Sequence, residues 1–280
     1  MTEKASTDQL IGVPETMMIP LYARAMETQR ADGIIRDEKA VEMMARIDYD
    51  FSRFAGGDPT ILGIAIRTEV LDEKVNAFIA KNPDALIINI AAGLDTRFER
   101  VDNGRILWVD LDLPESIAIR RQFITPSDRQ HFIASDALDF TWFDQVEAWV
   151  MNLQDRAVML ILEGLLMYFD EADVKRLLVA LAKRFPSAEV LLEVTGVSMA
   201  KKQERQIAVN KTSAHFKWGI RHTQDMELWD SRIQVVEDVS IYDRYETRWL
   251  AMDLSFPAPL KDLRNTTLRI VHVRFGEPAL

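Results

Sequence analysis

Four short motifs with acidic residues, each placed just after an apolar run, carry the chemistry of this sequence. The first is Ala91-Ala92-Gly93-Leu94-Asp95-Thr96-Arg97, which follows the run from Ala85 to Ile90. Small residues there let the backbone turn tightly and approach a ligand closely. A dinucleotide loop would need G-x-G-x-x-G to admit a pyrophosphate. Only Gly93 is present, and Leu94 and Asp95 make the loop crowded and acidic, which suits a ligand without phosphates. The second motif, Trp108-Val109-Asp110-Leu111-Asp112, lies about twenty residues further on, where nucleotide-binding folds hold a ribose diol with a carboxylate. Asp110 and Asp112 face the same way on an extended strand. Asp112 is the favoured ribose ligand, the competing duty being to cap a helix begun by Pro114.

The third motif is Ala134-Ser135-Asp136-Ala137-Leu138-Asp139. There Asp136 could accept from the exocyclic amine of an adenine while the neighbouring backbone pairs with a ring nitrogen. A cap or turn is the competing role. The fourth is Leu162-Glu163-Gly164-Leu165-Leu166-Met167-Tyr168-Phe169. A carboxylate closing an apolar strand costs several kcal/mol if buried unpaired, so Glu163 needs a donor or cation. A ligand ammonium or sulfonium would serve.

Composition removes other classes of chemistry. The chain has no cysteine, which excludes disulfides, thiolate nucleophiles and cysteine-based zinc sites. The four histidines, His131, His215, His222 and His272, are scattered, and a structural or surface role is expected for each. No metal site is expected. A formal net charge of −10 repels polyanions, so nucleic acid is not an expected partner. No apolar stretch reaches the length of a signal peptide core or a spanning helix, which gives a cytoplasmic expectation with no membrane partner. The number of subunits is not legible.

The elements that must position these motifs follow from periodicity. Residues 1–80 read as helical, with patterns around Ile19–Met26, Asp37–Asp50 and Ile61–Ala80. Near-continuous apolar runs then recur at Ala85–Ile90, Arg105–Val109, His131–Ala134, Ala157–Leu162 and Glu189–Val194, as in parallel strands covered on both faces. Helical patterns at Pro114–Phe123, Trp142–Met151 and Glu171–Phe185 alternate with them. This alternation predicts an α/β doubly wound sheet, with ligands beyond the carboxyl ends of its strands. Further on, a helix over Met199–Trp218 and strands over Gln234–Ile241 and Leu268–Phe275 are expected, the last two as an edge hairpin.

Together, A-A-G-L-D-T-R-F-E-R, V-D-L-D-L-P-E, S-D-A-L-D-F-T-W and L-E-G-L-L-M-Y-F resemble the leucine carboxyl methyltransferase family, above all its bacterial, polyketide-methylating branch. The likeness runs from the P-L-Y-A-R-A segment to about Tyr242. It implies a class I S-adenosylmethionine-dependent methyltransferase: a Rossmann-like, mostly parallel seven-stranded sheet with an N-terminal helical cap. One methyltransferase domain over 1–280 is expected, with the cap at 1–80, the cofactor-binding core at 81–195, and insertion helices and final strands at 196–280. By position, Arg67 would grip the methionyl carboxylate and Gly93 would line the cofactor. Asp112 would hold the ribose, Asp136 and the Ala137 backbone the adenine, and Glu163 would face the methionyl ammonium. For Arg67, surface pairs with Glu69 and Asp72 are the competing reading. The eukaryotic protein-modifying members carry a cap lysine with no counterpart identified here, and Arg24 is the substitute.

The implied reaction is transfer of a methyl group to an oxygen of a small molecule. A carboxylate acceptor, ionised at neutral pH, would need no strong base. Tyr168 and Arg24 are the candidates for orienting it. The alternatives are a non-catalytic sensor of S-adenosylmethionine and a nicotinamide-dependent oxidoreductase.

Overall fold

The computed structural model describes residues 4–7, 10, 12–201, 209, 212–252 and 267–276. A short parallel pair, β1 (Ala5–Ser6) and β2 (Ile47–Asp48), brackets two helices, α1 (Met18–Thr28) and α2 (Glu38–Arg46). α2 begins where the Asp37 side chain accepts from the Ala40 amide, and it ends well short of the predicted Asp50. The long helix α3 (Asp58–Lys81) starts with Pro59 in its first turn, where a missing amide hydrogen costs nothing.

The sheet strands are β3 (Leu86–Ile90), β4 (Leu107–Asp112), β5 (Gln130–Ala134), β6 (Val158–Leu162), β7 (Glu189–Thr195), β8 (Ile233–Ser240) and β9 (Leu268–Phe275). Every residue of β3 and β6 is buried, as strands covered on both faces must be. The helices are α4 (Arg97–Val101), α5 (Pro114–Arg120), α6 (Trp142–Trp149), α7 (Glu171–Arg184), α8 (Val197–Lys201) and α9 (Glu246–Leu250). The order β5-β4-β3-β6-β7-β9-β8 makes one seven-stranded sheet, parallel from β5 to β7, with β9 antiparallel to both its neighbours. The mostly parallel α/β sheet expected from the sequence is therefore present. The expected antiparallel pair at the sheet edge is present as β8 and β9, with β9 against β7 and β8 outermost.

Strand order reverses at β3, whose neighbours β4 and β6 lead outward in opposite directions. Register then levels the strand ends. Ile90 lies opposite both Leu111 and Leu162, and Leu162 opposite Leu192. Consequently Ala91, Asp112, Glu163 and Glu193 form one row along the carboxyl edge. The sheet fixes the chemistry of this row before any loop contributes.

The predicted helix over Met199–Trp218 is corrected. Among the described residues only Val197–Lys201 is α-helical there, while residues 202–208 and 210–211 lie outside the described residues. The Lys217 and Trp218 amides donate to the Met167 carbonyl, and the Ile220 amide to Thr195. Those bonds replace helical ones. No helix among the described residues is long and apolar enough to cross a membrane.

Candidate active site

A cavity of about 860 Å³ opens on the row of strand ends, in the size range of small-molecule sites. All eight residues singled out in the sequence line it: Arg24, Arg67, Gly93, Asp112, Asp136, Ala137, Glu163 and Tyr168. Its polar lining comes mainly from the turns after β3, β4, β5 and β6. Apolar side chains complete the lining, among them Met17 and Ile19 from the N-terminal helices and Phe216, Tyr242 and Trp249 from the chain beyond β7.

The turns are tight for local reasons. Gly93 adopts φ +49°, and a Cβ there would lie 3.0 Å from Met17 Cβ. Ala91, at φ 61°, takes the left-handed conformation without being glycine. That strain costs on the order of 1–2 kcal/mol and is offset by the surrounding sheet. Gly93 donates its amide to Asp112 Oδ2 at 2.6 Å, and Asp112 Oδ1 accepts from the Leu113 amide at 2.7 Å. Burial pushes the Asp112 carboxyl above its usual range despite these bonds. The Ser116 side chain hydrogen bonds with the same carboxylate, which still leaves an acceptor position for a ligand hydroxyl. Asp110, the competing acid, is fully buried and bound to Arg120 at 2.8 Å, Trp108 and Gln130.

Asp136 is exposed and makes a turn: the Leu138 amide donates to its Oδ1, and the Asp139 amide to its carbonyl. The amide of the buried Ala137 takes no part in those turn bonds. The turn role and the ligand role weighed for Asp136 are thus compatible, because one carboxylate oxygen lies outside the turn.

Arg67 makes no surface pair with its helix neighbours. It is buried, its Nη1 donating to both oxygens of Glu193 at 2.9 and 2.8 Å. Its Nε stands 2.7 Å from Glu163 Oε1, yet no hydrogen bond is aligned on that Nε. Glu163 Oε2 accepts from Arg97 Nη2 at 2.8 Å. Burial opposes ionisation of Glu163, but the Arg67 and Arg97 guanidiniums hold its carboxyl below the usual range. Glu193, buried beside Glu163 with Arg67 as its one guanidinium partner, is pushed the other way by desolvation.

The network continues through Arg97 to Asp72 and Asp95, through Arg100 to Asp72, Asp95 and Asp37, and through Asp37 to Arg24. These pairs join four guanidiniums to five carboxylates: Arg24, Arg67, Arg97 and Arg100 against Asp37, Asp72, Asp95, Glu163 and Glu193. With all ionised, one negative charge is left over for a ligand of net positive charge. Arg24 donates through Nε to Asp37 at 2.8 Å and through Nη2 to the Leu94 carbonyl at 2.7 Å, tying α1 to the loop after β3.

Tyr168 is 9 % exposed, packs edge-on against Phe216 at 5.3 Å, and hydrogen bonds with Thr16. Burial raises its hydroxyl pKa to about 12, so it stays protonated. The histidines stand elsewhere: His131 stacks on Trp149, His272 meets Glu189 at 2.9 Å, and no histidine is among the described lining residues. Glu193 escaped the sequence reading. The signal existed, since an acid near the end of the apolar β7 run invites the argument applied to Glu163. Arg97 was inside a quoted motif but its partners are 2 to 66 residues away, beyond any spacing rule.

The sequence model of the family described as leucine carboxyl methyltransferase matches residues 17–182, more than half of the chain. The tetracenomycin polyketide synthesis O-methyltransferase TcmP of Streptomyces glaucescens is 29 % identical over 253 residues, covering 90 % of this chain and 88 % of its own. The S-adenosyl-L-methionine-dependent methyltransferase dpfgK of Gibberella zeae is 30 % identical over 202 residues, 66 % of this chain and 65 % of its own. A crystal structure of a DUF574 family protein from Streptomyces avermitilis superposes with a TM-score of 0.58 at 14 % identity, over 92 % of this chain and 97 % of that one. At that identity the last likeness speaks for the fold alone.

Proposed function

Because the chain belongs to the leucine carboxyl methyltransferase family and is an S-adenosylmethionine-dependent methyltransferase, we propose that it methylates an oxygen, a carboxylate, of a small, largely apolar metabolite. The observation that carries this reading is the cavity, which the acidic strand-end turns line together with apolar residues of the N-terminal helices and of the chain beyond β7. The name of TcmP, an O-methyltransferase of polyketide synthesis, supports oxygen as the acceptor atom.

The residues present fit the cofactor. The network's one excess negative charge matches an ammonium and a sulfonium set against one carboxylate. Gly93 leaves room where a side chain would already meet Met17. When bound, the cofactor supplies a methyl group on a sulfonium, open to in-line displacement. Arg67 binds the methionyl carboxylate with the part of its guanidinium that Glu193 does not engage. Glu163 faces the ammonium, Asp112 accepts from the ribose hydroxyls, and Asp136 with the Ala137 amide reads the adenine.

Tyr168, in the cavity lining, orients the acceptor. The bonds of Arg24 to Asp37 and Leu94 argue that it holds the cap instead. A carboxylate arrives already ionised, its unperturbed pKa near 4, so alignment and exclusion of water suffice. That agrees with the absence of histidine from the described lining.

The test is transfer of radiolabelled methyl from S-adenosylmethionine to a panel of aromatic and aliphatic acids and phenols, followed by mild alkali. Methyl esters release volatile methanol, whereas aryl ethers do not. Label that resists alkali would refute the carboxylate assignment, and label on nitrogen would refute oxygen.

A further inference from the structure

One member of the acidic row has no task in the ribose, adenine or methionyl contacts. Glu193 is 2 % exposed, and three hydrogen bonds converge on its carboxylate: two from Arg67 Nη1 and one from the Gly164 amide to Oε2 at 2.6 Å. Gly164 sits at φ +63°, the left-handed turn that sends the chain away after Glu163. One side chain on β7 therefore holds both a guanidinium from α3 and the turn after β6, partners 126 and 29 residues away. The aligned hydrogen bonds on Arg67 go to Glu193, since the contact of Nε with Glu163 is close but unaligned. A long side chain with several rotatable bonds needs such an anchor to present one edge to a ligand.

We propose that Glu193 is a positioning residue for S-adenosylmethionine: it fixes the Arg67 guanidinium and the Gly164 turn, and acts on the methionyl group through them. The inference rests on the reading of Arg67 as the ligand of the methionyl carboxylate. It differs from a merely structural role in one respect. A residue acting through Arg67 affects ligands that carry a methionyl group and spares those that lack it.

The experiment is calorimetric binding of S-adenosylmethionine and of 5′-methylthioadenosine, which has the nucleoside but no amino acid, to wild type, Glu193→Gln, Arg67→Ala and the double variant. Glutamine keeps an acceptor for the Gly164 amide and removes the charge. The expected result is a loss of about tenfold in S-adenosylmethionine affinity in Glu193→Gln, unchanged methylthioadenosine binding, and a double variant no weaker than Arg67→Ala alone, as for coupled neighbours. Additive losses in the double variant would overturn the proposal. So would equal losses for both ligands, or unchanged or tighter S-adenosylmethionine binding in Glu193→Gln. If Arg67→Ala itself binds S-adenosylmethionine like wild type, the Arg67 reading fails first, and that result is distinct from the others. Should Glu193→Gln not fold, Glu193→Asp with Arg67→Lys closes the same cycle with charge retained.

Discussion

Replacing Asp37 with asparagine tests whether the buried ion network fastens the cap to the sheet. Asp37 and Arg24 have side chains only 2 % and 3 % exposed. The carboxylate accepts from Arg24 Nε at 2.8 Å, Thr96 Oγ1 at 2.6 Å, Arg100 Nη1 at 3.2 Å and, as the N-cap of α2, the Ala40 amide at 2.9 Å. Asparagine preserves the cap but leaves Arg24 buried without its counter-charge. Breaking one side of a buried pair costs about 3–5 kcal/mol, and the retained acceptor puts the expectation near about 3 kcal/mol. At about 2–4 °C per kcal/mol, the melting temperature should fall by roughly 6–12 °C. Asp37→Ala should lose about 1 kcal/mol more with the cap.

The pH dependence of that difference has a definite sign. Burial would raise the Asp37 carboxyl, but Arg24, Arg100, Thr96 and the Ala40 amide outweigh it and hold the pKa below the usual value. A depressed carboxyl stabilises the fold above its unfolded pKa near 4, and that contribution disappears as pH falls through the folded pKa. Urea unfolding of wild type and variant should therefore differ fully at pH 7 and converge below about pH 4. A difference under 1 kcal/mol at pH 7, or one that grows in acid, would refute the reasoning.

Asp112→Ala should weaken S-adenosylmethionine binding about 10- to 100-fold, the equivalent of losing charge-assisted hydrogen bonds to a diol, as read by calorimetry. The raised Asp112 pKa adds that wild-type affinity falls on the acid side at a pH above the ordinary carboxylate range, a limb absent from the variant. Gly93→Ala should cost about 2 kcal/mol in urea unfolding, from the left-handed φ and the 3.0 Å approach to Met17 Cβ. Measured against Met17→Gly as the parent, the same substitution should cost only its conformational part.

The elements and acids legible in the sequence were those with a local signature. The all-apolar runs around Ile88 and Leu160 announced strands because both faces are covered, and Gly93, Asp112, Asp136 and Glu163 stood out because each follows such a run. What decides the partners of those acids is register and long-range pairing. Arg67 finds Glu193 across 126 residues, and no spacing within α3 could point there. The helix expected over Met199–Trp218 does not extend over residues 212–218, where the apolar spacing was usable but Ala214 and Trp218 are buried in contacts of a non-helical segment. Gly219 there lies so close to Gly196 that a Cβ would stand 2.7 Å from its carbonyl oxygen. The short α4 has too few turns to show a period.

The insertion of β9 between β7 and β8 also decides how one edge of the sheet is held. Among the described residues β8 hydrogen bonds in the sheet only to β9, and β9 reaches β7 across more than seventy residues of chain. The antiparallel edge therefore hangs on the one ladder between β7 and β9, and a change that loosens that ladder releases two strands together. Within that edge β8, outermost and held through β9, is the strand free to part first.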